Sequence, residues 1–144
     1  MYLYFHNDRM DGMRTLWIAL FLGWIGVGVS AQDFYQQEIT DEIFARIEGK
    51  SFKANCTTPR EDLRYLRVLH YNKDREILEG ELICHKDIAD DLLAIFQELY
   101  KAAYPIERMV LIDEYDADDE ASMRANNTSA FNFRYASGMK RLSS

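Results

Sequence analysis

The feature that most constrains the fold is a helical repeat of apolar residues between Lys86 and Ala103. Apolar side chains recur there at spacings of three and four residues, which places them on one face of a helix. They are Ile88, Leu92, Ile95, Phe96, Leu99 and Ala103. Pro105 prevents the helix from continuing. A long helix with one apolar face needs a second layer to pack against.

The segment before this helix predicts that second layer. Residues 63–71 and 77–84 are rich in β-branched, aromatic and aliphatic residues, and the polar residues 72–75 between them favour a turn. Both segments therefore predict strands of one hairpin. Apolar residues fall on both sides of each strand, so we expect both faces of the sheet to be at least partly covered.

Shorter elements are predicted on either side of this unit. Residues 40–49 predict a short helix that Thr40 caps. Residues 109–112 predict a short strand, the acidic residues 113–120 a loop, and the aromatic residues before Arg134 another strand. The order of elements predicts an α+β fold, with a small, mainly antiparallel sheet and one long helix packed on it.

The first 31 residues have the pattern of an export signal. Arg14 precedes an uncharged apolar run over residues 15–30, and Val29-Ser30-Ala31 resembles a signal cleavage site. The alternative is a membrane anchor, but the run is shorter than the ~20 apolar residues that span a bilayer. We therefore expect residues 1–31 to be a signal peptide and residues 32–144 to form a periplasmic or extracellular domain.

The charge of the chain argues against nucleic acid and anionic lipid as partners. The net charge is −7, and polyanions are bound by basic surfaces. The charge is also unevenly distributed. The residues after Glu120 include no acidic side chain and four basic ones, which are Arg124, Arg134, Lys140 and Arg141. This indicates a local surface for anions, although solvated surface charges are the simpler alternative.

The two cysteines are predicted to form a disulfide. In an oxidising compartment Cys56 and Cys84 most simply pair with each other. The closed loop would contribute about 3 to 4 kcal/mol by the chain-entropy estimate. The alternative is two unpaired, buried thiols.

No convincing set of metal ligands is predicted. Cys84 and His85 are adjacent in a strand and point to opposite faces, so the two cannot share one metal ion. Ordinary strand residues and a disulfide are a better account of Cys56, Cys84, His70 and His85 than a zinc site. The acidic run alternates carboxylates as a calcium loop does, but it lacks the glycine and the spaced glutamate of an EF-hand. A solvated loop is the alternative reading of that run.

Residues 126–134, Asn-Asn-Thr-Ser-Ala-Phe-Asn-Phe-Arg, resemble the approach to the zinc site in the M15 family of D-alanyl-D-alanine carboxypeptidase-like metallopeptidases. In the most similar subgroup, an Asn-Thr-Ser-x-Phe-x-x-Arg segment and a glycine turn lead into Ser-x-His-x-x-Gly-x-Ala-x-Asp, whose His and Asp bind zinc. The matching residues are Asn127, Thr128, Ser129, Phe131, Arg134, Gly138 and Ser143. The zinc histidine would follow Ser144, so we expect residues 32–144 to be the N-terminal half of an M15 peptidase-like domain.

The resemblance implies a D-Ala-D-Ala peptidase or hedgehog-like fold and an exported zinc peptidase that acts on peptidoglycan stem peptides. Zinc would belong to the complete family member, and this chain alone would be inactive. Arg134 would bind substrate or the transition state, and Ser143 would help to orient substrate. Residues 127–129 would build the loop through hydrogen bonds from side chain to backbone.

Three alternatives remain open. From composition alone, Arg134 pairs with the acidic run instead of facing a substrate. The chain as a whole could also be a non-catalytic exported binding module, or the product of a degenerate gene.

Overall fold

A computed structural model describes residues 33–135 and 142–143 of the chain. The predicted signal peptide therefore lies outside the described residues, and none of the helices described is long and apolar enough to cross a membrane. The elements are β1 (Tyr35–Glu38), α1 (Asp41–Ile47), β2 (Leu63–Tyr71), β3 (Ile77–His85), α2 (Lys86–Lys101), α3 (Asp119–Arg124), β4 (Arg134–Tyr135) and β5 (Leu142–Ser143). Short 3₁₀ helices lie at Arg60–Asp62 and Ile112–Tyr115. The predicted α+β fold is confirmed.

The main sheet is antiparallel and has the strand order β1-β2-β3. The predicted hairpin is confirmed, with Leu66 opposite Leu82 in the register. Its turn is held by the side chain of Asn72, whose Oδ1 accepts a hydrogen bond from the backbone N–H of Glu76 at 2.9 Å. Strand β1 was not predicted, because its sequence Tyr-Gln-Gln-Glu is mostly exposed and has no apolar alternation.

Residues on alternate sides of the hairpin pack into two hydrophobic cores. On one face, α2 packs against residues that include Leu66, Val68 and Leu82. On the opposite face, α1 packs against residues that include Tyr65 and Ile83. Period-two alternation in β2 and β3 therefore supplies both cores from the same two strands.

The face by which helix α2 packs agrees only in part with the one predicted. Its buried residues are Ala89, Phe96 and Tyr100, whereas Ile88 and Ile95 are exposed. Leu92, Phe96 and Leu99 of the predicted stripe pack against the core, and Tyr100 joins them, so the packed face is rotated away from Ile88 and Ile95. The ring of Tyr100 helps to set this rotation, because it stacks on Tyr71 of β2 with ring centroids 5.1 Å apart.

The chain after α2 returns along the hairpin as an extended segment. Ile106 donates its backbone N–H to the carbonyl oxygen of Tyr71 at 2.7 Å, and Glu81 donates to the carbonyl oxygen of Met109 at 2.8 Å. Gly80 permits this approach, since a Cβ atom there would lie 2.9 Å from the Cβ of Met109. The strand predicted over residues 109–112 is wrong: the segment has no strand, and Ile112 already begins a 3₁₀ helix.

Candidate functional site

An open cleft of about 730 Å³ lies between α3 and the segments that follow it. Residues 118–120 line one side, residues 127–129 line another, and Arg134 also borders it. The structure therefore brings the Asn-Thr-Ser loop and the predicted site arginine to the same cavity.

Asn127 holds the loop in place through its side-chain amide. Its Oδ1 accepts a hydrogen bond from the N–H of Val110 at 2.9 Å, and its Nδ2 donates to the carbonyl oxygen of Val110 at 3.1 Å. Nδ2 also lies 3.1 Å from the hydroxyl oxygen of Ser122. The neighbouring Thr128 donates its backbone N–H to the carbonyl oxygen of Arg108 at 2.9 Å. The predicted structural role of Asn127 is confirmed.

The segment that leads to Arg134 is anchored by its aromatic residues. Phe131 packs beside Phe52 at the α1 core, with ring centroids 6.5 Å apart. Phe133 is buried and donates its backbone N–H to the carbonyl oxygen of Ser51 at 3.0 Å. Asn132 lies between the two phenylalanines in the sequence and Arg134 follows them. Both side chains contact Asp119 at the start of α3.

Arg134 forms an ion pair with Asp119. The guanidinium Nε contacts Oδ2 of Asp119, and Nδ2 of Asn132 donates a hydrogen bond to Oδ1 of the same carboxylate at 2.9 Å. Nδ2 of Asn132 also donates to the carbonyl oxygen of Ala117 at 3.2 Å. The side chain of Arg134 remains 44% exposed. Arg134 therefore pairs with the acidic run, as the alternative reading of the sequence proposed, while it lines the cleft.

Asp119 and Asn132 were not predicted from the sequence. The alternation Phe131-Asn132-Phe133-Arg134 could have identified Asn132. If the two rings point into the core, Asn132 and Arg134 lie together on the other side of the segment. Asp119 could not be singled out, because it is one of several acidic residues in a row.

The acidic side of the cleft is the beginning of α3. Asp118 caps this helix, since its Oδ1 accepts hydrogen bonds from the N–H groups of Glu120 at 2.8 Å and Ala121 at 3.2 Å. Asp118, Asp119 and Glu120 together place three carboxylates on the cleft that Arg134 lines. An anionic ligand that binds Arg134 is therefore also repelled by these three carboxylates.

A buried carboxylate fixes the backbone behind the cleft. Asp113 is buried, and its two oxygens accept hydrogen bonds from the N–H and the hydroxyl of Ser51, each at 2.9 Å. Lys50 donates to the carbonyl oxygen of Asp113 at 3.0 Å. Because the carbonyl of Ser51 bonds Phe133, this cluster links the loop after α1 to the segment that carries Arg134.

Ser143 lies beside Arg134 in the backbone. Strands β4 and β5 are antiparallel, and Arg134 is opposite Ser143 in their register. The two predicted substrate-binding residues are thus on neighbouring strands. The glycine turn at Gly138 lies outside the described residues.

The predicted disulfide is not present in the structure, where Cys56 and Cys84 are both free thiols. Cys84 is 2% exposed in the core beneath α2. Cys56 lies in the loop after α1, with its Sγ 3.6 Å from the carbonyl oxygen of Thr58. This loop follows Phe52, which packs on the opposite core. Burial raises the pKa of the Cys84 thiol to about 11.

The two histidines among the described residues, His70 and His85, take part in the fold. His70 is buried, with Nδ1 2.7 Å from the carbonyl oxygen of Ile106. His85 caps α2, where its Nδ1 accepts from the N–H of Asp87 at 3.3 Å. Within residues 33–135 and 142–143, no group of three or more His, Cys, Asp or Glu side chains could hold a metal ion. These residues do not fit the zinc ion that the resemblance implies.

A second cleft, of about 450 Å³, lies near α1. Arg46 reaches Glu81 at 2.8 Å and Glu114 at 3.1 Å there, and Arg108 also lines the cavity. Its two arginines are balanced by two glutamates, and none of them belongs to the motif that resembles the peptidases. The first cleft is therefore the better candidate for a functional site.

The chain matches no family model, no curated protein and no solved structure.

Proposed function

We propose that this chain is the N-terminal, substrate-binding part of an exported, peptidoglycan-directed zinc peptidase of the M15 type. The site is the cleft beside α3, and the ligand is a stem peptide. The observation that carries the proposal is that the loop of residues 127–129 and Arg134 line one cleft. These are the residues in which the chain resembles the family.

Arg134 is the residue that binds the peptide. A guanidinium carries five N–H donors in a fixed plane and can hold a carboxylate by two parallel hydrogen bonds. Asn127 shapes the cleft wall by fixing the loop to Val110. Zinc would be bound by residues other than those described. The proposal for this chain therefore concerns peptide binding and includes no hydrolytic step.

The fold supports the proposal at a coarser level. An antiparallel sheet with a long helix on one face agrees with the α+β architecture that the resemblance implies. Such an architecture serves many functions, so it raises the plausibility of the proposal without identifying a substrate.

The first test is binding of a synthetic stem pentapeptide that ends in D-Ala-D-Ala with a free carboxylate. The full chain should bind this peptide, and Arg134→Ala should weaken binding by about tenfold to a hundredfold, the loss expected for a charge-assisted bidentate contact. Arg134→Lys should bind with intermediate affinity, because it keeps the charge but loses the planar pair of donors. Isothermal titration calorimetry measures all three.

Arg124→Ala is the matched control. Arg124 is an exposed arginine in the last turn of α3 and does not line the cleft. Its loss removes the same charge and should leave affinity within about twofold, since distant exposed charges are strongly screened. Equal effects of Arg124→Ala and Arg134→Ala would mean that only net charge matters, which contradicts the proposed site.

A second candidate, a non-catalytic exported binding module, shares the peptide-binding site. Sequencing the gene beyond the Ser144 codon on its native chromosome distinguishes the two. A reading frame that continues into His-x-x-Gly-x-Ala-x-Asp favours the peptidase. A stop codon directly after Ser144 favours the binding module and contradicts the peptidase proposal.

A further inference from the structure

We infer that Asp119 is a positioning residue for Arg134, which it holds in a fixed orientation at the cleft with the help of Asn132. This inference deepens the proposed function and rests on it for the identity of the ligand. It assigns a role to two residues that the resemblance to the peptidases does not include.

The contacts around the Asp119 carboxylate support this role. Oδ2 contacts Nε of Arg134, while Oδ1 accepts from Nδ2 of Asn132 at 2.9 Å. The second proton of the Asn132 amide is directed to the carbonyl oxygen of Ala117, at 3.2 Å. Asn132 thus holds one oxygen of the carboxylate while the other oxygen contacts the arginine.

The backbone on both sides of the contact is also fixed. Asp119 is in the first turn of α3, whose preceding residue, Asp118, caps the helix. Arg134 follows the buried Phe133, which is bonded to Ser51. Two anchored segments therefore meet at one ion pair. The Arg134 side chain is restrained at its backbone and at its guanidinium, which limits its rotamers.

A guanidinium that is held in one orientation binds a carboxylate more tightly than a mobile guanidinium does. A mobile arginine side chain has rotamer entropy, part of which is lost when a ligand immobilises it. If Asp119 has already ordered the side chain, the ligand bears less of that cost. The opposite role for a carboxylate at this place is competition with the ligand for the guanidinium. The two roles predict opposite effects on affinity.

The test replaces Asp119 by Asn, which keeps the shape and removes the charge. Asp118→Asn is the matched control: it removes a carboxylate from the same cleft, and Asn caps a helix as well as Asp does. Loss of either charge reduces the repulsion of an anionic ligand, and this gain should be at least as large for Asp119, which contacts Arg134. We expect Asp119→Asn to bind the pentapeptide about fivefold to tenfold more weakly than Asp118→Asn. Equal or tighter binding by Asp119→Asn overturns the positioning role.

A double-mutant cycle separates positioning from a general structural effect. In the Arg134→Ala background, Asp119→Asn should change affinity by less than about twofold relative to Asp118→Asn in that background, because the residue through which it acts is absent. A full effect of Asp119→Asn without Arg134 overturns the inference. Circular dichroism verifies that each variant is folded.

A ligand-free measurement keeps the inference separate from the proposed function. The Nε–H of Arg134 can be observed by ¹⁵N NMR and assigned through its loss in Arg134→Ala. Its exchange with water should be several-fold faster in Asp119→Asn than in Asp118→Asn, because a hydrogen-bonded proton exchanges slowly. If the chain binds no peptide, the proposed function fails while this result still decides whether Asp119 holds Arg134. Equal exchange rates in the two variants overturn the inference.

Discussion

Asp113 shows how one buried side chain organises the backbone behind the cleft. Its carboxylate accepts two hydrogen bonds from Ser51, and Ser51 in turn bonds the segment that leads to Arg134. Asp113→Asn keeps the shape but removes the charge that strengthens both hydrogen bonds, and the hydroxyl of Ser51 must reorient to accept from the amide. We expect the free energy of unfolding to fall by about 1 to 3 kcal/mol, as measured by urea denaturation.

The control for this substitution is Asp116→Asn in the same acidic run. The Asp116 side chain is 89% exposed and pairs with Lys50 at 3.1 Å. Its backbone is left-handed, with φ at 54°, a conformation that Asn tolerates. An exposed ion pair contributes little, so the change should stay within about 0.5 kcal/mol. Equal losses for Asp113→Asn and Asp116→Asn would contradict the buried role of Asp113.

The sequence predicted individual residues where the signal is local. Thr40 accepts a hydrogen bond from the N–H of Ile43, as a helix cap does, and Asn127 bonds the backbone as expected. The roles of Asp113 and Asp119 depend on partners that are distant in the sequence. Asp113 meets Ser51 across 62 positions, and no local pattern distinguishes a buried carboxylate within an acidic run from its solvated neighbours.

Elements with strong local periodicity were predicted almost to the residue. Strand β2 has the predicted bounds, and β3 extends the predicted range by one residue to His85. The predicted α2 also begins correctly, but only part of its predicted inward face packs against the sheet. Helical periodicity gave several apolar positions, and the packing of Phe96 and Tyr100 against the sheet decided which of them are buried.

Two adjacent residues of α2 test this orientation. Phe96 is 8% exposed in the core, whereas Ile95 is 52% exposed. Phe96→Ala removes a buried ring and should lower the free energy of unfolding by about 3 to 5 kcal/mol. Ile95→Ala should cost less than about 1 kcal/mol, since alanine favours the helix and little apolar contact is lost. Comparable losses in thermal or urea unfolding would mean that Ile95 is packed as well, as the periodicity predicted.

The whole domain is a sheet with a hydrophobic core on each side. Only its class could be predicted, because β1 has no apolar pattern although it pairs with β2 to complete the sheet. The cleft depends on the same long-range order. Its sides come from α3, from residues 127–129 and from the segment that carries Arg134, and Phe133 is held near Ser51, far away in the sequence.

The state of the two cysteines is visible in the pH dependence of global stability. Burial raises the pKa of Cys84 from 9.0 to about 11 in the folded protein. Between these values the unfolded chain loses the thiol proton while the folded chain keeps it. The unfolded state therefore binds fewer protons, and stability must fall as pH rises through this range. The fall attributable to Cys84 should be on the order of 2 kcal/mol.

Urea unfolding at pH 8 to 11 measures this fall, and Cys84→Ala isolates it from the titration of lysines and tyrosines. The parent chain should lose stability more steeply than Cys84→Ala, while Cys56→Ala should follow the parent because its thiol is not the buried one. Without reductant, a disulfide would remove both titrations. A parent profile parallel to that of Cys84→Ala, restored to the steeper slope by reductant, would therefore contradict the free thiols and support the disulfide predicted from the sequence.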